Sequence, residues 1–256
     1  MGVSQTAHAA RIRRKRRNRW IAAAFFLFIA IVVMMESPLT RVRKYVVVGN
    51  RSIPASRILK DASLRVGISL WQVNPNYVNS QVRSKETLVS SVAVSTDYLK
   101  GIVTLRLALK QVVAMLEVSG RFYRLLDDGD VYGTVSDSSG YSWPIITSAL
   151  VSTVVDGRQT TDPNVTQLCR MLPQISPSLL AQISEFHVDA YGVVTTYLNN
   201  RFEVRLKLSG FKSHLVAALD AVNYFVKQGY VPGVIDVTGG QPYQYMPLSQ
   251  STKAGN

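Results

Sequence analysis

Val193-Val-Thr-Thr-Tyr-Leu198, the pair Asn199-Asn200 and Arg201-Phe-Glu-Val-Arg-Leu-Lys-Leu208 decide the fold class of this chain. In the second run Phe202, Val204, Leu206 and Leu208 alternate with Arg201, Glu203, Arg205 and Lys207. Successive side chains on a strand point to opposite faces, so one face of this strand is apolar and the other wet. Asparagine pairs form turns, and two strands joined by so short a turn are antiparallel neighbours. The pattern is that of a sheet covered on one side only.

Working outward, residues 183–188 read as a preceding strand and residues 234–237 as a last one. Between them residues 215–226 form an amphipathic helix, with Leu215, Leu219, Val222 and Phe225 or Val226 on one side and Gly229 as its stop. Upstream, residues 112–118, 122–126 and 131–132 are strand-like, the last two separated by the acidic turn Asp127-Asp-Gly-Asp130, and Trp143-Pro-Ile-Ile146 is extended. Residues 148–163 read as a loop, followed by short helices at 165–172 and 178–180 with Pro173 and Pro177 as interruptions. The expectation is a mainly antiparallel β domain with flanking helices over 112–238, its strands between 183 and 208 forming a meander, and a flexible tail over 239–256.

The stretch before it is organised differently. Residues 42–48 are β-branched and end in Gly49-Asn50; Pro54 opens a helix carrying Ile58, Leu59 and Ala62. Gly67-Ile-Ser-Leu-Trp71 reads as a connection whose apolar residues tuck under the fold. Asn74-Pro75 starts a second helix that runs to about Lys85, and strands at 88–96 and 102–109 flank a glycine-containing loop. Strand, helix, helix, strand, strand over 40–111 makes a three-stranded sheet covered by helices, so the chain is α+β overall.

The N-terminus carries the most biased composition. Seven of the residues from Arg11 to Arg19 are Arg or Lys, and Trp20 to Met35 follow with sixteen residues free of charge. That apolar run would reach about 24 Å as a helix, so a span of a roughly 30 Å hydrocarbon core must borrow residues up to Leu39. Residues 20–39 are therefore read as a transmembrane helix, with residues 1–19 as a basic cytoplasmic tail because the positive charge lies mostly on that side. A cleaved signal peptide would need a small-residue site after Met35, and Glu36-Ser-Pro-Leu-Thr40 offers none.

The whole chain of 256 residues carries a formal net charge of +13. Removing the seven basic residues at 11–19 and Glu36 leaves 22 basic and 15 acidic ones, a diffuse excess that names no ligand. Beside a bilayer the arginine cluster suits anionic headgroups better than nucleic acid. Cys169 is the only cysteine, and His8, His187 and His214 are scattered, so no metal site and no cofactor are expected. Asp127, Asp128 and Asp130 lack the full pattern of a calcium loop. Glu185, His187 and Asp189 would share a strand face, without a nucleophile beside them. No G-x-S-x-G, no Walker loop and no penicillin-binding motif set occurs, which argues against an enzyme and against a small-molecule substrate.

Val46-Val-Val-Gly-Asn-Arg-Ser-Ile-Pro54, Gly67-Ile-Ser-Leu70, Val113-Ala114, Phe122-Tyr-Arg-Leu-Leu-Asp-Asp-Gly129 and Trp143-Pro-Ile-Ile146, in that order, resemble the FtsQ/DivIB cell-division family. The sequence departs from it at Leu109-Lys110 and Val112, where relatives carry an acidic-basic pair and a proline, and at Tyr98-Leu99, where a proline is usual. The resemblance implies a POTRA domain over 40–111. It also implies a non-catalytic scaffold in the cell membrane at the division septum, binding FtsL-like and DivIC/FtsB-like proteins outside the membrane and helping regulate septal peptidoglycan synthesis. Alternatives are a POTRA-type protein of secretion or envelope assembly and a membrane-tethered wall-binding protein. A sheet with an exposed final strand accepts a partner strand through its backbone, so Val204, Leu206, Leu208, Val234, Ile235 and Val237 are the expected partner-binding residues.

Overall fold

The structure is a computed structural model that describes residues 19–33, 40–51, 53–136, 143–239 and 243–248. The chain divides into two compact units, one ending at Leu109 and one beginning at Lys110.

In the first unit residues 19–33 form helix α1, with Trp20, Phe25, Phe26 and Phe28 all exposed. Fifteen residues of helix reach about 22 Å, and among the described residues no helix is long and apolar enough to cross a membrane. Residues 1–18 and 34–39, which hold most of the basic tail and the end of the expected span, lie outside the described residues.

Beyond α1 come β1 (Lys44–Val48), α2 (Ala55–Asp61), α3 (Pro75–Lys85), β2 (Val89–Asp97) and β3 (Ile102–Leu109), which form a sheet of order β1-β3-β2. β1 runs parallel to β3, as the two-helix crossover between sheet neighbours allows, and β2 antiparallel to it across a tight turn. Asn74 starts α3 as expected, its Oδ1 accepting the N–H groups of Asn76 and Tyr77 at 3.0 and 3.3 Å, with Pro75 in the first turn. Ile58, Ala62, Val78 and Val82 from the helices meet Val103 and Leu105 from β3 in one core. Leu70 joins that core, but Trp71 does not: it is half exposed, which corrects the expectation that the whole 67–71 connection tucks inward.

The second unit is built on a nine-stranded sheet of order β12-β11-β10-β9-β8-β7-β4-β5-β6. Its strands are β4 (Val112–Val118), β5 (Arg121–Leu126), β6 (Val131–Val135), β7 (Ile145–Ser148), β8 (Ile183–Val188), β9 (Val193–Leu198), β10 (Glu203–Lys207), β11 (Gly233–Asp236) and β12 (Gln244–Pro247). The expected meander holds for β8-β9-β10, and β4-β5-β6 forms a second one. Three other joints of the sheet are parallel: β7 runs parallel to both β4 and β8, and β11 to β10. The chain between β7 and β8 carries α4 (Pro163–Met171) and α5 (Pro177–Leu180), and that between β10 and β11 carries α6 (Phe211–Lys227). A helical crossover returns the chain to the same end of the sheet, so the next strand runs parallel.

The alternation read in 201–208 is realised in β10, where Val204 and Leu206 are buried while Arg205 and Lys207 are exposed. The apolar face lies under the helices: Val165, Leu168 and Leu172 from the α4 side and Phe211, Leu215, Leu219 and Val222 from α6 pack with Phe186, Val204, Leu206 and Ile235. Each such aliphatic side chain contributes about 1.5–3 kcal/mol through burial. α6 begins four residues before the expected Leu215, because Gly210 enters it at φ +68° and Phe211 is itself a core residue.

Candidate partner interface

Val204, Leu206 and Ile235 are fully buried, and Leu208, Val234 and Val237 nearly so. None is presented to solvent, and all but Val234 pack in the core between the helices and the sheet. Their backbones are occupied as well, since β10 lies between β9 and β11, and β11 between β10 and β12. The expectation of an exposed final strand at 234–237 is thus corrected, and the tail expected to be flexible contains the strand that covers it. Residues 240–242 and 249–256 of that tail lie outside the described residues.

The edge of the sheet is β12, which pairs antiparallel with β11 from Gly233↔Pro247 to Asp236↔Gln244. The Leu248 N–H donates to the Pro232 carbonyl at 3.2 Å, so hydrogen-bonded pairing falls on 248 and alternates along the strand through 246 and 244. Tyr245 then turns its N–H and C=O away from β11, and Pro247 stands at the other outward position, where its missing N–H costs the sheet nothing. Tyr245 is pinned from behind. Its ring stacks on Phe225 at 5.0 Å, meets Tyr230 edge-on at 5.5 Å, and its hydroxyl donates to the Val231 carbonyl at 2.7 Å. Gly233 makes room for this ring, because a Cβ there would overlap the ring edge and come within 2.6 Å of the Met246 carbonyl. Around the edge, Tyr224, Val226, Tyr230, Val231, Met246 and Leu248 are exposed. Among the described residues no strand pairs with the outward side of β12, which leaves a sheet edge with exposed apolar side chains around it.

The opposite edge of the sheet is closed over part of its length. Val131 of β6 donates its N–H to the Arg158 carbonyl and accepts from the Gly157 N–H, both at 2.9 Å, and the Gly133 N–H donates to Asp156 Oδ1 at 2.6 Å. The loop after β7 therefore occupies the outward groups that β12 leaves open.

The charged groups singled out in the sequence serve the fold. The acidic turn does hold a cation, the ammonium of Lys110, whose Nζ lies 2.7 Å from Asp128 Oδ2 and 2.5 Å from Asp130 Oδ2. Burial pulls the Lys110 pKa down, but the hydrogen bonds and charges of the two aspartates outweigh it, and the pKa ends above its ordinary value. Among the described residues no group of side chains could hold a metal ion. Glu185 and His187 share a face of β8 as read, and Thr147 of β7 joins them: its hydroxyl lies 2.6 Å from Glu185 Oε1 and 2.8 Å from His187 Nδ1. The single hydroxyl proton goes to the carboxylate, so Nδ1 carries a proton and donates. In a catalytic triad the imidazole bridges hydroxyl and carboxylate; here the hydroxyl bridges the other two. Asp189 is not part of this group, because its Oδ1 accepts the Tyr191 and Val193 N–H groups and builds the β8–β9 turn. Cys169 is fully buried, and burial pushes its thiol pKa up to about 12.

A family profile described as "Cell division protein FtsQ/DivIB, C-terminal" matches residues 114–238, from the second residue of the β4 ladder to just past β11. Residues 114–238 are those of an FtsQ/DivIB C-terminal domain. The chain is 26% identical over 200 residues to the cell division protein DivIB of Brevibacillus brevis, covering 75% of this chain and 72% of that one. To the DivIB of Geobacillus kaustophilus it is 25% identical over 254 residues, 94% of this chain and 89% of the other. The DivIB of Enterococcus faecalis (strain 62) is longer, and the match at 21% identity spans 62% of it. Among solved structures, the major extracytoplasmic domain of the trans isomer of DivIB from Geobacillus stearothermophilus aligns with 43% of this chain and 87% of its own length, at 18% identity and a TM-score of 0.34. The profile stops at residue 238, so the β12 edge is made by residues beyond the matched stretch.

The edge was missed in the sequence because Tyr243-Gln-Tyr-Met-Pro-Leu248 follows a Gly/Pro-rich segment and is short. Two features signal it: Gly239-Gly240 right after a strand suits a hairpin, and Tyr245 and Met246 fall on opposite faces of a strand.

Proposed function

We propose that this protein is a membrane-tethered, non-catalytic member of the division machinery. In this reading residues 20–39 anchor it, residues 1–19 lie against the cytoplasmic headgroups, residues 40–111 are its POTRA domain, and the β unit outside the membrane binds FtsL-like and DivIC/FtsB-like partners. Such a scaffold influences septal peptidoglycan synthesis by assembling the proteins that perform it.

The observation that supports this best is the β12 edge, which no other strand covers among the described residues, with the Tyr245 backbone turned outward among exposed apolar side chains. A partner strand laid along β12 would satisfy those groups and continue the sheet, while Met246 and Leu248 select its side chains. The experiment is photo-crosslinking in dividing cells, with benzoylphenylalanine at Met246 or Leu248 and, for comparison, at Lys207 on internal strand β10. Adducts with small single-pass proteins at 246 and 248, absent at 207, are the expected result. A protein that supports division yet yields no adduct at either rim position removes β12 from the interface. Ile235 does not serve this purpose, because a charge or proline at a fully buried core position unfolds the sheet along with any site on it.

A further inference from the structure

Residues 41–43 are clamped between two turns of the first unit. The Val42 N–H donates to the Ile68 carbonyl at 2.8 Å and the Gly67 N–H to the Val42 carbonyl at 2.9 Å, while the Arg43 N–H donates to the Gly101 carbonyl at 2.8 Å. Arg41 Nη1 also donates to the Gly67 carbonyl. The point where the chain enters this unit is thus fixed to the 66–71 connection and to the β2–β3 turn, and those two turns carry unusual side chains. Leu99 is 94% exposed at the turn tip and Val66 67%, and the rings of Trp71 and Tyr98 lie 4.9 Å apart, tilted by 32°, with half of each still open to solvent. The exposed basic residues Arg41, Arg43, Arg65 and Lys100 lie in or next to these segments, with Asp97 Oδ2 4.0 Å from Lys100 Nζ.

We propose that this end of the first unit is a lipid-contacting surface that seats against anionic headgroups of the outer leaflet, with Leu99 and the Trp71–Tyr98 pair entering the interfacial layer. This rests on the reading of residues 20–39 as an anchor. Two residues separate Leu39 from Val42, about 7–10 Å of chain at full extension, so an anchor that ends at Leu39 holds these turns at the bilayer surface. Tryptophan and tyrosine favour that layer because their rings are apolar with one polar tip. Arg and Lys beside them are attracted to the anionic lipid surface. A protein partner for the same patch would need no such closeness to the anchor and no basic rim.

The test uses the full chain in vesicles of phosphatidylethanolamine and phosphatidylglycerol, labelled with an environment-sensitive fluorophore on Leu99→Cys, Ser91→Cys or Ile29→Cys. Buried Cys169, with its thiol pKa pushed up to about 12, stays unlabelled. Ser91 lies on the same strand as Asp97 but six residues away, about 20 Å along β2. The expected result is blue-shifted emission at 29 and 99, with quenching by headgroup-nitroxide lipid several-fold stronger at 99 than at 91. That difference should shrink in Arg65→Glu/Lys100→Glu and in phosphatidylcholine vesicles. Lipid contact at 29 with an aqueous probe at 99 overturns the proposal and leaves the anchor standing. An aqueous probe at 29 overturns the anchor, and the lipid-contacting surface falls with it. Shielding of 99 in native envelopes but not in lipid vesicles assigns the patch to a protein and also overturns it.

Discussion

Lys110 opens the second unit with its ammonium against Asp128 and Asp130, its side chain only 9% exposed. Removing the cation leaves two carboxylates facing each other in a partly buried turn, so Lys110→Met should destabilise this unit by about 1–3 kcal/mol, a fall in Tm on the order of 5 °C. The pH dependence has a definite sign. A lysine whose folded pKa is raised contributes stability that is fully present below its unfolded value near 10.4 and is lost as pH rises through the higher folded value. Denaturant unfolding of the two proteins should therefore give a constant difference from neutral pH up to about 10 and converging curves above it. A difference that stays flat to strongly alkaline pH would show that the ion triad contributes nothing. At this scale the sequence was half legible: the Asp127–Asp130 turn is visible as acidic, but its cation comes from a residue twenty positions upstream that only the β4–β5 pairing brings back.

At the scale of elements, β12 depends on the absence of a side chain at Gly233. An added methyl at that position meets the Tyr245 ring and the Met246 carbonyl, and a backbone oxygen cannot rotate aside. Gly233→Ala should cost about 1–3 kcal/mol through overpacking and should peel β12 from β11 without melting the rest of the sheet. Amide hydrogen exchange reads this directly, because the Leu248 N–H, protected by the Pro232 carbonyl, should lose protection while β8 and β9 amides keep theirs. Unchanged protection at Leu248 would mean that the strand tolerates the methyl and is not held in the way described. Helices and strands with long periodic patterns, such as α6 and β10, were legible at this level. The four-residue β12 was not, since so short a strand owes its existence to the neighbour it pairs with.

For the whole molecule the decisive question is sidedness. If residues 20–39 cross the membrane with the basic tail inside, protease added to cells with permeabilised walls should remove residues 40–256 and leave an N-terminal fragment of the tail and anchor. A mature protein that begins after Met35, or exported residues that resist digestion after the fold has been loosened, would sink the anchor and the partner geometry with it.

The division of labour between sequence and tertiary structure follows from range. Composition and local periodicity determined the basic tail followed by an apolar run, the strand-helix-helix-strand-strand order, and the antiparallel β8-β9-β10 ladder with one wet face on β10, because each depends on neighbours a few positions apart. Strand order across the nine-stranded sheet, the burial of Ile235, the Lys110 triad and the open edge at β12 join residues far apart in the chain. Backbone groups at every strand look alike in the sequence. Only the packed sheet decides which of them are paired within it and which face outward at its edge.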